Sequence, residues 1–435
     1  MSASTAHNHA PEQGRRRIYY GWIMAPIAMV ALVASSPGQT FGLGIFNDAL
    51  RQDLGLSLSQ ITGAYMLGTL LAAVPMSYIG ALMDRHGLRK VLTAASILFG
   101  FACIAAGAVQ GLATLFVAFF LLRLLGQGAL GMLSGNILAF WFHKRLGLVE
   151  GLRHFGMAGA IAVIPMVNLW LIQGVGWRWA FAVLGVGVMA LMLPLMLLFR
   201  NRPEDVGQHI DGESPHAQHG GGDGAAGLEY SFTLAEAART RALWIAAGSL
   251  ALWGMMGTAL QFNVVPLFES RGLDATAAAA FFPVFAISLA AMQVIGGVLA
   301  DRLPAPALIS MAMTAVTGAM LLLWGAATPW MGPAVGVLCG IGQGLLTTVL
   351  SPLWPRYFGR GHIGRIRGAL ATAMVASTSV GPFLVGLFYD LLGGYDLILL
   401  VFALLPIPFI VLAFWATPPT PPRAQDMEPA RQAGA

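Results

Sequence analysis

Two side chains with chemistry to offer stand inside long apolar stretches. Arg123 lies within residues 114–141 and carries a guanidinium that stays charged at any accessible pH. Its five donors form a planar fork that suits a carboxylate gripped through two parallel hydrogen bonds. Gln127 follows at i+4, on the same face if the segment is helical. His154 is the histidine that falls inside an apolar run, and an imidazole with an unperturbed pKa near 6.5 is suited to carry a proton. Each has a plainer reading. Arg123 could stiffen its surroundings by donating to backbone carbonyls, and His154 could belong to an interfacial ion cluster with Glu150 and Arg153.

The elements that position these groups must live in lipid. The chain has 435 residues, of which 57% are hydrophobic and 10% charged, against roughly 25% charged in soluble domains. Its mean hydropathy is +0.73. That balance excludes a soluble enzyme. A hydrocarbon core about 30 Å thick needs about 20 apolar residues per helix, and such runs recur twelve times, near 20–45, 60–83, 91–110, 114–141, 148–172, 178–199, 242–267, 276–300, 305–327, 332–353, 367–391 and 396–416. The expected fold class is an all-α integral membrane protein: an N-terminal tail (1–18), a six-helix bundle (19–200), a linker (201–240), a second six-helix bundle (241–416) and a C-terminal tail (417–435).

A net charge of +5 would suggest an acidic partner in a soluble protein. Here it reads as topology. With the N-terminus placed in the cytoplasm, Arg51, Arg178 and Arg271 alone among the 24 basic residues fall in outside segments, Arg123 falls within a span, and all others fall inside. Both termini are therefore expected in the cytoplasm, and no nucleic-acid partner is implied. The run after Arg15-Arg16-Arg17 is too long for a signal peptide and reads as a retained span. Cys103 and Cys339 sit in apolar runs and supply neither a disulfide framework nor a metal spacing. The polar stretch 201–232, with Ser214-Pro215 and Gly220-Gly221-Gly222, reads as a flexible linker. Its His209, His216 and His219 with Asp211 and Glu213 lack the fixed spacing of a metal site, and no metal or cofactor is expected. Thr233 and Glu236 form a capping-box pattern that starts a short helix leading into the seventh span.

The two halves repeat. Gly80, Asp84 and Arg85 recur at one interval as Gly297, Asp301 and Arg302. Gly126-Gln127-Gly128 recurs as Gly342-Gln343-Gly344, Phe142 as Phe358, and Gly151 as Gly368, at the same interval to within one residue. Two repeats related by an axis along the membrane normal place a site near the midplane between them and suit alternating access.

Gly80-Ala-Leu-Met-Asp84-Arg85-His-Gly87-Leu-Arg89-Lys90 resembles the signature loop between the second and third helices of the major facilitator superfamily. Arg123-Leu-Leu-Gly126-Gln-Gly128 resembles its fourth-helix motif, and residues 20–416 follow the twelve-helix pattern in order. Tyr20-Gly21-Trp22, Pro37-Gly38-Gln39-Thr40-Phe41 with Gly44-Ile-Phe46, and Trp141-Phe142-His-Lys144-Arg145 resemble the branch of monocarboxylate and oxalate/formate carriers. The resemblance implies gating by Gly80, Asp84, Arg85 and Arg89, with Asp301 and Arg302 as a second gate weakened by Leu303-Pro304. It has departures. Carriers of that branch often hold a basic residue in the eighth helix, yet Ser288–Gln293 is uncharged, as are Ser377, Thr378 and Ser379 in the eleventh. A two-charge clamp for a dicarboxylate is thereby disfavoured. The Gly-Pro pair of antiporters is missing from the fifth helix, and Gly381-Pro382 lies in the eleventh.

The functional expectation is a secondary carrier for a small organic anion, a monocarboxylate moved with a proton in a bacterial inner membrane by a monomeric unit. Substrate-binding candidates are Arg123 with Gln39, Thr40, Tyr65, Asn136, Gln261, Asn263, Gln293 and Ser377; Arg123 and His154 are the proton-coupling candidates. No Asp or Glu lies deep in a span, which argues against a buried carboxylate relay. A proton-driven exporter of amphipathic drugs or metabolites is the alternative. Enzyme chemistry is not expected: Asp390 and Asp396 sit at an outer helix end, and neither Lys90 nor Lys144 follows a phosphate-loop glycine pattern.

Overall fold

The computed structural model describes residues 19–142, 145–212, 231–325, 328, 330–359 and 363–420. All regular elements among these are helical. The first half comprises α1 (Gly21–Ala34), α2 (Thr40–Leu43), α3 (Asn47–Leu54), α4 (Leu58–Ala73), α5 (Met76–His86), α6 (Leu88–Ala106), α7 (Leu112–Leu122), α8 (Gly131–Trp141) and α9 (Leu146–Leu198). The second comprises α10 (Leu234–Ala237), α11 (Arg241–Phe262), α12 (Val264–Glu269), α13 (Ala275–Arg302), α14 (Ala305–Trp324), α15 (Met331–Phe358), α16 (Ile363–Leu392), α17 (Asp396–Leu404) and α18 (Ile407–Leu412).

Among the described residues, ten helices are long and apolar enough to cross a membrane. One of them crosses twice. At 53 residues, α9 would run about 80 Å if straight, but Gly176 adopts φ 80° and folds it back on itself. A further crossing is assembled from α4 and α5, joined at Val74–Pro75, where the ring of Pro75 cannot continue the helix. The chain therefore passes twelve times, as two six-helix bundles. Helix starts follow local chemistry: Ser57 and Gln60 form a reciprocal capping box on α4, Asp274 accepts from Ala277 N at 2.8 Å to start α13, and Thr233 with Glu236 closes a box on α10.

Each half buries its own apolar cluster. The exceptions join the halves: Phe41, Ile45, Leu58 and Ala160 sit in the second cluster, and Phe262 sits in the first. In the second half α15 lays Gly336, Gly340 and Gly344 against α13, so that a Cβ on Gly340 would stand 2.8 Å from Leu289 N and Phe285 O. Lipid offers helices no hydrophobic reason to associate, and close backbone approach supplies the missing attraction.

Two faces of the bundle can be told apart by the chain itself. One carries Tyr19, Trp141, Leu198 and Phe358; the other carries the hairpin at Gly176. On the Gly176 face Arg51 lies 3.8 Å from Asp48, Arg178 2.8 Å from Asp53 and Arg271 2.8 Å from Asp396. Each of the three arginines of that face thus meets a local carboxylate. On the Tyr19 face the start of the linker is docked, contrary to the expectation of a free flexible segment from residue 201 onward. Gln208 accepts from Tyr20 N at 2.8 Å, and Tyr19 OH accepts from Asp211 N at 3.1 Å. At its other end Phe232 N donates to Phe358 O at 2.9 Å. His216, His219 and Glu213 lie outside the described residues, as do the N-terminal tail and residues 421–435.

Gly340→Ala is expected to lower the thermal unfolding midpoint of the purified protein, the equivalent of about 1–3 kcal/mol for an overpacked contact against backbone. Gly297→Ala, whose Cβ would meet nothing within 4 Å, is expected to leave the midpoint unchanged. A detergent melting curve of both variants checks the pair.

Candidate functional site

Arg123 opens a stretch, Arg123–Leu130, in which the helix widens to i→i+5 spacing between α7 and α8. Such π turns occur mostly as local insertions at functional sites. Gly126 lets this widened turn cross the first span at Gly38, where Cα meets backbone with no room for a side chain on either glycine. The crossing brings the guanidinium to a second break, the turn Ser36–Gly38 that separates α1 from α2 and frees backbone carbonyls from helical bonding.

The side chain is 3% exposed. Its Nε donates to Thr69 Oγ1 at 3.1 Å, and one terminal nitrogen donates to Gly38 O at 3.1 Å and to Thr40 Oγ1 at 3.5 Å. The Tyr65 ring centroid lies 5.0 Å from the guanidinium carbon, within cation–π range, and Tyr65 OH pairs with Thr40 Oγ1 at 2.8 Å. Two neighbouring spans therefore solvate one charge with dipoles and a ring. Among the described residues no carboxylate pairs with it.

The guanidinium also borders a cavity of about 270 Å³, lined by Thr69, Ala72, Ala73, Met76, Gln127, Gly128, Met132 and Val375. One edge is charged, the walls are apolar, and Gln127 Oε1 is buried with no donor among the described residues. The arrangement can hold a small anion by its charge, shelter an apolar body and accept a hydrogen bond from it.

The other sequence candidates are placed unevenly. Gln39 sits at the break beside this group and donates to Ser35 Oγ at 2.9 Å. Asn136 lies farther along the fourth span and donates to Met83 Sδ at 3.2 Å. Ser377 bonds within its own helix, to Ala373 O at 2.8 Å, and Gln293 is exposed on α13. Gln261 and Asn263 flank the α11–α12 break, where Asn263 is fully buried and donates to Ala259 O at 3.0 Å. None of these five joins the Arg123 group. Thr69 was not anticipated, although it follows Tyr65 at i+4 and so had to share its face.

Of the gating candidates, the side chains of Asp84 and Asp301 lie outside the described residues. Arg85 and Arg302 are exposed at the ends of α5 and α13, Arg89 N donates to Asn201 Oδ1 at 2.8 Å, and Gly80 faces open space. The closed face is the opposite one. Asn47 donates to Phe262 O, Ser59 N donates to Asp390 Oδ2 at 2.9 Å, and a Cβ on Gly44 or Gly386 would run into a span of the other half. Phe46-Asn47 recurs as Phe262-Asn263 at the interval of the glycine repeat, a signal the motif comparison overlooked. There α4 packs along α16, whereas beyond Pro75 α5 turns to α6 and the widened turn. The bundles meet at the Gly176 face and part toward the Tyr19 face.

Asp48 and Arg51 of the first half stand with Glu269 and Tyr389 of the second at this closed face. Burial holds the Glu269 carboxyl above its ordinary value, with Asp48 adding to the rise and Arg51 opposing it.

Comparison with known proteins follows the same outline. The sequence profile described as Major Facilitator Superfamily matches residues 27–335 and, in a second match, 305–434. A probable sulfoacetate transporter of Cupriavidus necator is 25% identical over 365 residues, covering 80% of this chain and 83% of that protein. The oxalate:formate antiporter of Oxalobacter formigenes is 23% identical over 260 residues, 58% of this chain and 57% of its own. The crystal structure of a bacterial homologue of the human lysosomal transporter Spinster, inward-facing and unoccupied, superposes with a TM-score of 0.66 at 15% identity, covering 91% of this chain and 96% of that one.

A carboxyl raised in the closed arrangement binds its proton more tightly there than when solvated, so acid favours closure and a rise of pH beyond the ordinary carboxylate range weakens it. A cysteine placed at Gln261, behind the closed face, is expected to react faster with an impermeant maleimide supplied from that face as pH rises. Glu269→Gln is expected to slow that reaction at neutral pH and to flatten its pH dependence. Cys103 and Cys339 are buried and give little background.

Proposed function

The chain belongs to the Major Facilitator Superfamily, and within it we propose a secondary carrier that moves a small organic monoanion together with a proton. The observation that carries this reading is the Arg123 guanidinium, buried without a carboxylate partner at the edge of an apolar cavity. One fixed positive charge balances one negative charge. A dianion would bring a second charge into a wall of Met76, Met132, Ala72 and Val375, where nothing among the described lining residues would meet it. The names of the two relatives described above support an organic anion as cargo and do not fix its charge, since sulfoacetate and oxalate are dianions and formate is a monoanion.

In this reading Arg123 takes the substrate carboxylate, Thr40, Tyr65 and Thr69 hold the guanidinium in register, and Gln127 Oε1 accepts from a substrate hydroxyl. An arginine does not release its proton, so the coupled proton travels on another group, for which His154 is the candidate. The Tyr19 face is cytoplasmic and the closed Gly176 face is external, which makes the arrangement inward-facing, in a bacterial inner membrane. The signature loop around Gly80, Asp84, Arg85 and Arg89, with its weaker repeat at Asp301 and Arg302, closes the cytoplasmic side when the bundles rock the other way.

Protein reconstituted in liposomes is expected to accumulate a labelled hydroxy monocarboxylate when the supply side is made acidic; equal uptake without the gradient would remove the proton from the mechanism. Arg123→Gln is expected to lower affinity about 10- to 100-fold, the loss of a charge-assisted interaction worth about 1.5–3 kcal/mol, in protein that stays monodisperse. A thermal-shift series comparing monocarboxylates with lipophilic cations separates this reading from an amphipath exporter, because only bound ligands stabilise by mass action.

A further inference from the structure

A second arginine packs against the span that carries Arg123, from the neighbouring α9. Arg153, on α9, has a side chain 10% exposed. Its Nε donates to Glu150 Oε2 at 2.8 Å, and one terminal nitrogen lies 2.7 Å from the same oxygen. The other terminal nitrogen donates to Ser134 Oγ at 3.0 Å. Ser134 belongs to α8, about three helical turns from Arg123 toward the Tyr19 face. The Arg123 cavity reaches Gly128 and Met132, the latter less than one helical turn from Ser134 along the axis of that span.

The nitrogen of Arg153 that faces Glu150 also lies 3.3 Å from His154 Nε2. A guanidinium has no acceptor, so this contact is a hydrogen bond in the form that leaves Nε2 unprotonated. His154 Nε2 stands 3.9 Å from Glu150 Oε2, and its side chain is 57% exposed. Arg153 and Glu150 are the charged groups facing it among the described residues. The opposing α8 presents Ser134 and Gly135, neither of which titrates.

We propose that Glu150, Arg153 and His154 form a second carboxylate-binding station, on the Tyr19 side of Arg123, that protonation of His154 opens. A proton on Nε2 removes the acceptor that Arg153 uses, sets a cation against the guanidinium and draws Glu150 across to the imidazolium. The Nε edge of Arg153, which favours a bidentate carboxylate, then takes the substrate in place of Glu150. The charges stay balanced: one proton and one anion enter together, and both leave together when His154 deprotonates and Glu150 returns. The station rests on the reading of the protein as an anion carrier and gives the coupled proton a structural task.

The test isolates the station in an Arg123→Gln background, with benzoate as the probe and saturation-transfer NMR of the detergent-purified protein as the readout. Binding is expected at pH 5.5 and is expected to be roughly tenfold weaker at pH 8, as the imidazole loses its proton. Glu150→Gln, added to that background, should give the stronger binding at both pH values. His154→Asn should give the weaker binding at both, Arg153→Gln should remove it, and Arg153→Lys should keep only part of it. Binding that ignores Arg153→Gln, or that is absent at pH 5.5 and not raised by Glu150→Gln, overturns the station. If the parent binds benzoate no better than Arg123→Gln while the Arg153 series behaves as stated, the central reading of Arg123 falls and the station stands.

Discussion

A positive charge without a negative partner, held in lipid-embedded protein, is the constraint around which this molecule is arranged. Placing an arginine at a helix centre costs about 2.5–3.5 kcal/mol on insertion scales, and neutralising it permanently with a carboxylate would leave nothing for a substrate to do. The protein instead meets Arg123 with a backbone carbonyl from Gly38, hydroxyls from Thr40 and Thr69 and the face of Tyr65. Those partners are dipoles, strong enough to keep the charge buried and too weak to cancel it. The Ser36–Gly38 break and the widened turn at Arg123–Leu130 both serve that contact. Irregular backbone at membrane depth survives where protein surrounds it.

The contacts between the two bundles follow from the same economy. What joins them runs from the Gly176 face to mid-depth: Asn47 on Phe262, Ser59 on Asp390, and the apolar side chains that each half lends to the other's core, down to Ala160. That distribution leaves the path from Arg123 toward Tyr19 unsealed. It also explains why glycines matter so unequally. Gly38, Gly44, Gly340, Gly381 and Gly386 sit where backbone meets a neighbouring span, whereas Gly80 and Gly297 of the repeated signature face open space in this arrangement.

Fold and topology were legible because lipid makes simple demands. Span length, charge segregation and a repeated glycine pattern are one-dimensional properties, and the twelve passes and two-bundle plan followed from them. Side-chain neighbours were not legible in the same way. Periodicity tells which residues share a helix face, so Thr69 is implied by Tyr65, but nothing in one dimension says that Asn136 meets a sulfur or that Ser377 bonds its own backbone. The breaks were partly hidden as well. Residues 60–83 read as one apolar run, although Pro75 divides it, and Asn263 looks like any polar residue within a span until its backbone is seen to interrupt α11.

Those breaks carry a mechanical consequence. The fifth and sixth passes are joined by a fold at Gly176 with no intervening loop, whereas helical bonding is interrupted inside other passes, at Ser36–Gly38, Val74–Pro75, Asn263 and Leu405–Pro406. The places where a helix can bend with little loss of hydrogen bonding therefore lie within the passes, and two of them stand on the spans that hold Arg123.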